Sequence, residues 1–488
     1  MNTVSGFQRL SWVQRIGFGS GDLAQNLIYQ TISLYLMFYY TNVYHLNVVI
    51  VGTMFFIVRL VDVILNPFVG TMVDKTSTRF GRYRAYLLIG GIPLVFIFVL
   101  CFWNGFSGSV FYAYVSYVAL TIFYTLVNVP YGALNASLTR DNKEISILTT
   151  VRMIMANIGG LIVGFGVPRL LKYFDPNLST DMPETDGPWL AAMSILGIAA
   201  LVLLIFCFVE CKERVVMDNA QSSRVKISDL WKELIVNRPL RVLCFFFFIS
   251  FTLLFISNST ATYYINYNMH GNADMLSLFM GIASIPALIF MPMIPKIKDL
   301  IGKKELFYFF LLLAIVGMLL IYITTVIPTL SNYVVLIYIG QFVRSTGLAV
   351  ATGYMWVLVP EVISYGEFIH GRRISGIVNS LTGLFFKVGM MLGGAIPGWV
   401  LGFLQFNPNS ATQSIMAQHG ILWLFTIIPA IMLLVAMFII SRYNLDDNEV
   451  ERINREIESR REKERKNPSK APAVPDLKEA RNALPFPD

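Results

Sequence analysis

The sequence predicts an all-α membrane protein, with twelve transmembrane helices in two pseudo-symmetric halves of six. Three observations carry this. The 488 residues are 55% hydrophobic and 14% charged, where a soluble domain has about 25% charged residues, and mean hydropathy is +0.61. The apolar residues fall into twelve runs, each near the roughly 20 residues that a bilayer requires. The longest central connection, 211–239, divides these runs six and six.

The predicted spans of the first half are 16–40, 48–73, 86–104, 110–138, 148–171 and 189–210. Those of the second are 241–266, 275–295, 305–327, 332–360, 374–404 and 419–441. Residues 1–210 are therefore read as an N-terminal six-helix half and 211–239 as a central cytoplasmic loop. Residues 240–441 make the C-terminal half, and 442–488 a cytoplasmic tail. The first span carries Asp22 and is too long for a signal-peptide core, so it reads as a retained helix.

The net charge of +8 does not point to nucleic acid. Lys and Arg crowd the even-numbered connections, and the odd-numbered ones nearly lack them. That is the pattern of the positive-inside rule. It predicts a multi-pass plasma-membrane protein in contact with the lipid bilayer, with both termini cytoplasmic. Gly81-Arg82-Tyr83-Arg84 follows span two, and Gly302-Lys303-Lys304 follows span eight. Such an echo between halves suits a transporter built from repeats, with its site near the midplane between them. The short basic loops reach from Asp74 through Arg79 and Arg82, and again around Lys303. They are expected to brace the cytoplasmic side as a gate, against helix ends of the opposite half. In the tail, Asp446 or Asp447 opens a helix with Val450, Ile453 and Ile457 on one face. A mixed-charge run and a Pro-rich stretch follow, and the tail is read as solvated.

Polar residues inside the spans locate the site, because a charge at a membrane helix centre costs about 2.5–3.5 kcal/mol even on insertion scales. Asp22, Asn26 and Tyr29 share one face of span one. Span two carries Arg59, Asp62 and Asn66, and Arg59 and Asp62 are spaced to pair. Tyr124, Thr125 and Asn128 lie together in span four, Arg152 opens span five, and Lys387 sits in the middle of span eleven. Span ten holds Gln341 and Arg344, and Arg344 is read as structural. Asp22 can accept hydrogen bonds from ligand hydroxyl groups, Arg152 can donate to ligand oxygens, and the tyrosines offer flat apolar faces.

Enzymatic chemistry finds no support. Cys101, Cys207, Cys211 and Cys244 have no metal-ligand spacing. His45, His270, His370 and His419 fall in or near predicted loops, without a metalloprotease motif. No metal and no cofactor is expected.

The stretch RLVDVILNPFVG (Arg59–Gly70), the loop DKTSTRFGRYR (Asp74–Arg84) and YTLVNVP (Tyr124–Pro130) resemble the glycoside–pentoside–hexuronide:cation symporters. The melibiose permease is the best-known member of that family. Gly21-Asp22, Tyr39-Tyr40-Thr41, Tyr365-Gly366-Glu367 and Lys387 extend the resemblance along nearly the whole chain. It implies a major-facilitator fold and cation-coupled uptake of a small sugar or glycoside. By the same resemblance Asp22, Tyr29, Tyr124, Asn128, Arg152 and Lys387 fall at sugar positions, and Asp62 and Thr125 at cation positions. Asn66 and Asn128 stand where the family carries carboxylates, Gly21 where it carries a Lys, and Gly132 and Thr352 where it carries tryptophans. The missing carboxylates argue for a proton over sodium as coupling ion, and the missing aromatic rings argue against an α-galactoside. The expected substrate site is thus Asp22, Asn26, Tyr29, Tyr124, Asn128, Arg152 and Lys387. The expected coupling site is Asp62 with Asn66, Thr125 and Arg59. The alternatives are sodium coupling and carriage of an amphiphile such as a lysolipid.

Overall fold

A computed structural model of the chain describes residues 9–466, except 77, 79, 107, 140–141, 176–184, 214–226, 328, 330–332, 372–374, 409 and 411. The named elements of the described chain are all helical. In the first half they are α1 (Trp12–Thr31, continued through two π-helical segments to Val43), α2 (Val48–Lys75) and α3 (Tyr86–Leu100). These are followed by α4 (Val110–Leu138), α5 (Asn142–Phe174) and α6 (Asp186–Glu210). The short α7 (Ile227–Val236) lies in the central connection. The second half holds α8 (Arg238–Tyr263, continued to Asn268), α9 (Ala273–Ile301), α10 (Lys303–Val326), α11 (Val334–Met355) and α12 (Leu358–His370). It ends with α13 (Ser375–Phe403), α14 (Ile415–Phe425) and α15 (Ile427–Ser441), and α16 (Asp447–Lys466) forms the tail.

Among the described residues ten stretches are long and apolar enough to cross a membrane. α1, diluted by its polar face, and the shorter α3 occupy the places of the first and third predicted spans. Side chains at the helix ends satisfy free backbone N–H groups. Ser11 and Gln14 form a reciprocal box before α1, and Asn47, Ser109, Asn237, Asn272 and Ser414 each cap one helix.

Small residues let the two halves approach at the end opposite the chain termini. A Cβ on Gly398 of α13 would lie 2.6 Å from the Val48 carbonyl oxygen and 2.7 Å from Gly52 Cα of α2. Beside them Trp399 Nε1 donates to Thr53 Oγ1 at 3.1 Å. α1 meets α8 through Thr41 and Tyr263, whose hydroxyls are 2.6 Å apart, and through Asn42 and Tyr267. α5 meets α9 through an ion pair between Lys172 and Asp274. Among the described residues the polar contacts at the terminal end stay within one half. Arg15 pairs with Glu144 at 2.7 Å, and Lys303 pairs with Glu361 at 2.8 Å. The halves thus meet at one end and part at the other.

The structure differs from the sequence expectation in four places. The predicted span 332–360 ends at Met355, and α12 continues the chain as a separate helix. The predicted last span begins earlier and is broken at Thr426 (φ −122°) between α14 and α15. The central connection is not all loop, since α7 buries Leu234, and the buried Glu233 accepts from Asn237 at 2.9 Å. The tail is docked rather than solvated. α16 buries Ile453 and Ile457, and Arg460 donates to the Phe368 carbonyl at 2.9 Å. Asp447 pairs with Lys298 at 2.6 Å and Lys303 at 3.0 Å. Burial pushes the Asp447 carboxyl up, but these two ammonium groups outweigh it and hold it below the usual carboxylate value.

Candidate functional site

Five turns of polar sequence converge because each lies on the inward stripe of its helix. α1 presents Asp22, Asn26 and Tyr29, whose spacing of four and three keeps them on one face. α2 presents Arg59, Asp62 and Asn66, α4 presents Tyr124, Thr125 and Asn128, and α5 presents Arg152. From the second half come α8 and α13, the latter with Lys387. Together they enclose a cavity of about 380 Å³ between the halves. All eleven residues expected to touch substrate or cation line it.

Two ionic clusters divide the cavity. In the first, Arg152 Nε donates to Asp22 Oδ2 at 3.1 Å, and the guanidinium lies 5.2 Å from the Tyr131 ring centre. Asn26 Nδ2 donates to the Asp22 backbone carbonyl at 3.0 Å. In the second, Asp62 accepts from Thr125 Oγ1 at 2.8 Å, from Asn66 Nδ2 at 2.9 Å and from Lys387 Nζ at 3.1 Å. Three donors thus occupy most of the roughly four acceptor sites of one carboxylate. Between the clusters Tyr29 stacks on Tyr124 with ring centres 5.8 Å apart.

The spacing in α2 suggests an Arg59–Asp62 pair, and the structure replaces it. Asp62 takes Lys387 from the other half, and Arg59 lies 5.2 Å from the Tyr29 ring centre and 5.6 Å from that of Phe255. Lys387, expected to hold substrate, is thus paired with Asp62 across the two halves.

The residues of the expected gate are described only in part. The Asp74 side chain and Arg79 lie outside the described residues. Glu213, just past α6, accepts the backbone N–H of Arg82 at 3.0 Å, of Tyr83 at 2.7 Å and of Arg84 at 2.9 Å. Lys303 is held by Glu361, Asp447 and the Leu445 carbonyl. Among the described residues, the first loop is thus held by Glu213 of the central connection and the second by Glu361, Leu445 and Asp447.

Other lining residues escaped the sequence reading. Gln30 lies four residues after Asn26, and Asn258 interrupts an apolar helix, so both carried a legible signal. Phe255, Phe386 and Met390 line the cavity too, but nothing distinguishes them from neighbouring apolar residues. Met390 Sδ accepts from the Tyr29 hydroxyl at 2.8 Å.

A polar midplane cavity between two helical halves that part at one end defines a secondary active carrier. Residues 17–447 match the family described as MFS/sugar transport protein, and the chain belongs to that family. It is 43% identical over 456 residues to an uncharacterised symporter of Bacillus subtilis (strain 168), YnaJ, covering 93% of this chain and 96% of that one. It is 32% identical over 426 residues to the isoprimeverose transporter of Lactiplantibacillus pentosus, covering 86% of each. Among solved structures, the nucleoside transporter NupG superposes with a TM-score of 0.59 at 14% identity, over 89% of this chain and 100% of that one, which shows the fold alone. The chain is a multi-pass plasma-membrane transport protein of the symporter type and not an enzyme. Among the described residues no group of three or more His, Cys, Asp or Glu is placed to hold a metal ion.

Proposed function

We propose that the protein imports a neutral or charged sugar or glycoside together with a proton, with the twelve predicted spans as its two halves and both termini cytoplasmic. In that orientation the closed end is extracellular, and the cavity faces inward. The observation that carries the reading is the Lys387–Asp62 bridge at 3.1 Å, which joins α13 of one half to α2 of the other. Sugar hydroxyls bind to Asp22, Arg152, Asn26 and Asn128, and a ring face lies on Tyr29 or Tyr124.

Asp62 then acts as the exchanging carboxylate. While ionised it holds Lys387, and the bridge ties the halves together. A proton on Asp62 removes the negative charge, and the ammonium turns to water or substrate. The two states of one carboxylate thereby bias two arrangements of the halves, as coupling requires. A sodium ion at Asp62 would compete with the Lys387 ammonium and find no second carboxylate, because Asn66 and Asn128 are neutral.

Reconstituted vesicles test this with a proton gradient alone and then a sodium gradient alone. Uphill sugar uptake is expected under the first and should collapse with a protonophore. Sodium-driven uptake that ignores the protonophore, with the voltage clamped at zero, would overturn the proton assignment. Sodium then becomes the ion at the same carboxylate.

A further inference from the structure

We infer that Arg344 forms an anion subsite that takes a carboxylate carried by the sugar. This rests on reading the central cavity as the sugar site. Arg344 lies midway along α11 and is 5% exposed. Its Nη1 donates to Gln341 Oε1 at 2.7 Å, and the guanidinium sits 4.4 Å from the Phe425 ring centre. Among the described residues its Nε has no hydrogen-bond partner, and no carboxylate neighbours it. The other three basic residues of the region differ. Arg152 and Lys387 have their own aspartates, and the charge of Asp62, three residues on in the same helix, acts on Arg59.

Arg344 lines a second cavity of about 260 Å³. Asn26, Gln30 and Asn258 border this cavity and the central one alike, so the two adjoin. The rest of its polar lining is neutral, and includes Ser257, whose buried hydroxyl also lacks a partner among the described residues. A lone buried guanidinium among neutral hydrogen-bonding groups is complementary to an anion. Its planar fork matches a carboxylate in particular. The charge balance agrees. The two cavities hold four basic side chains (Arg59, Arg152, Arg344 and Lys387) against two acidic ones, Asp22 and Asp62. Protonation of Asp62 widens that excess. An uncompensated buried charge is destabilising, and a substrate carboxylate offsets that only while bound, so the charge favours the loaded carrier.

The experiment compares methyl β-D-glucuronide with methyl β-D-glucoside, which differ in a carboxylate against a hydroxymethyl group. Binding and uptake are measured on reconstituted full-length protein. The wild type is expected to prefer the glucuronide by about 10- to 100-fold, the range of a charge-assisted bond. In Arg344→Gln the ratio should fall to about one, and Arg344→Lys should keep part of it. A structural role would weaken both sugars alike and leave the ratio standing, which overturns the assignment. The wild-type ratio decides even where a variant fails to fold. Transport of the glucoside without the glucuronide overturns the anion subsite alone, whereas failure of both sugars overturns the sugar reading with it. Glucoside uptake that requires chloride would make the subsite one for a free inorganic anion, and would overturn the assignment as well.

Discussion

Asp22 and Asp62 are both carboxylates inside the membrane, yet their neighbours assign them different work. Asp22 pairs with Arg152 inside one half, so its charge is not part of the contact between halves. Asp22→Asn keeps an oxygen for Arg152 and should leave the protein folded. Sugar affinity is expected to fall at least about 100-fold, since hydrogen bonds to a charged group contribute roughly 1.5–3 kcal/mol each. Titration calorimetry on the purified variant measures it, and normal affinity would make Asp22 a structural residue. Asp62 binds across the halves, and its substitution should act on energy coupling. Asp62→Asn is expected to abolish uphill accumulation while sparing sugar exchange down a gradient. Accumulation that survives in this variant would move the coupling site elsewhere, with Asp22 next in line.

At the scale of elements, the closed end depends on backbone contact between α2 and α13. A side chain on Gly398 has no room beside Val48 and Gly52. Gly398→Val should push these helices apart and favour the arrangement open at this end. Cysteines introduced near Asn47 should then react faster with an impermeant thiol reagent added outside cells, and turnover should drop. Equal labelling in the two proteins would show that the closure rests on other contacts. The tail helix α16 is a second case. Asp447→Asn removes the partner of two ammonium groups, although half of its side chain is exposed. The cost is therefore expected to be no more than about 1 kcal/mol. It should appear as faster proteolysis of the tail, with sugar affinity unchanged. Unaltered digestion would leave the apolar contacts of Ile453 and Ile457 as the anchor.

Across the whole molecule, the two halves close at one end only, so transport requires the opposite arrangement as well. Spin labels at the ends of α6 and α12, one on each half, should move closer when sugar is added at acid pH. Their distance should return when sugar is removed. A distance that ignores sugar and pH alike would contradict rocking of the halves on release of the Lys387–Asp62 bridge.

Much of this arrangement was legible in the sequence because lipid punishes polar atoms. Every span long enough to cross a membrane had to be apolar, and every charge left inside one had to face protein or water. That alone marked Asp22, Asp62, Arg152 and Lys387, and helical periodicity put Asn26 and Tyr29 on the face of Asp22. The same periodicity misled at Arg59. Spacing of three shows which residues share a face, but not what stands opposite that face. Lys387 lies 325 residues from Asp62 in sequence, and only folding brings it within 3.1 Å. Folding likewise left Arg344 without a carboxylate, which nothing in its own segment reveals. The tail shows the same division. Its helix could be read from Val450, Ile453 and Ile457, but its docking depended on Lys298 and Lys303 lying where Asp447 arrives. Periodicity and hydropathy are properties of one segment, so the sequence by itself determined the helices, their crossing of the membrane and their polar faces. Ion pairing depends on distances between segments far apart in the chain, so the partners of the buried charges were decided by the tertiary structure.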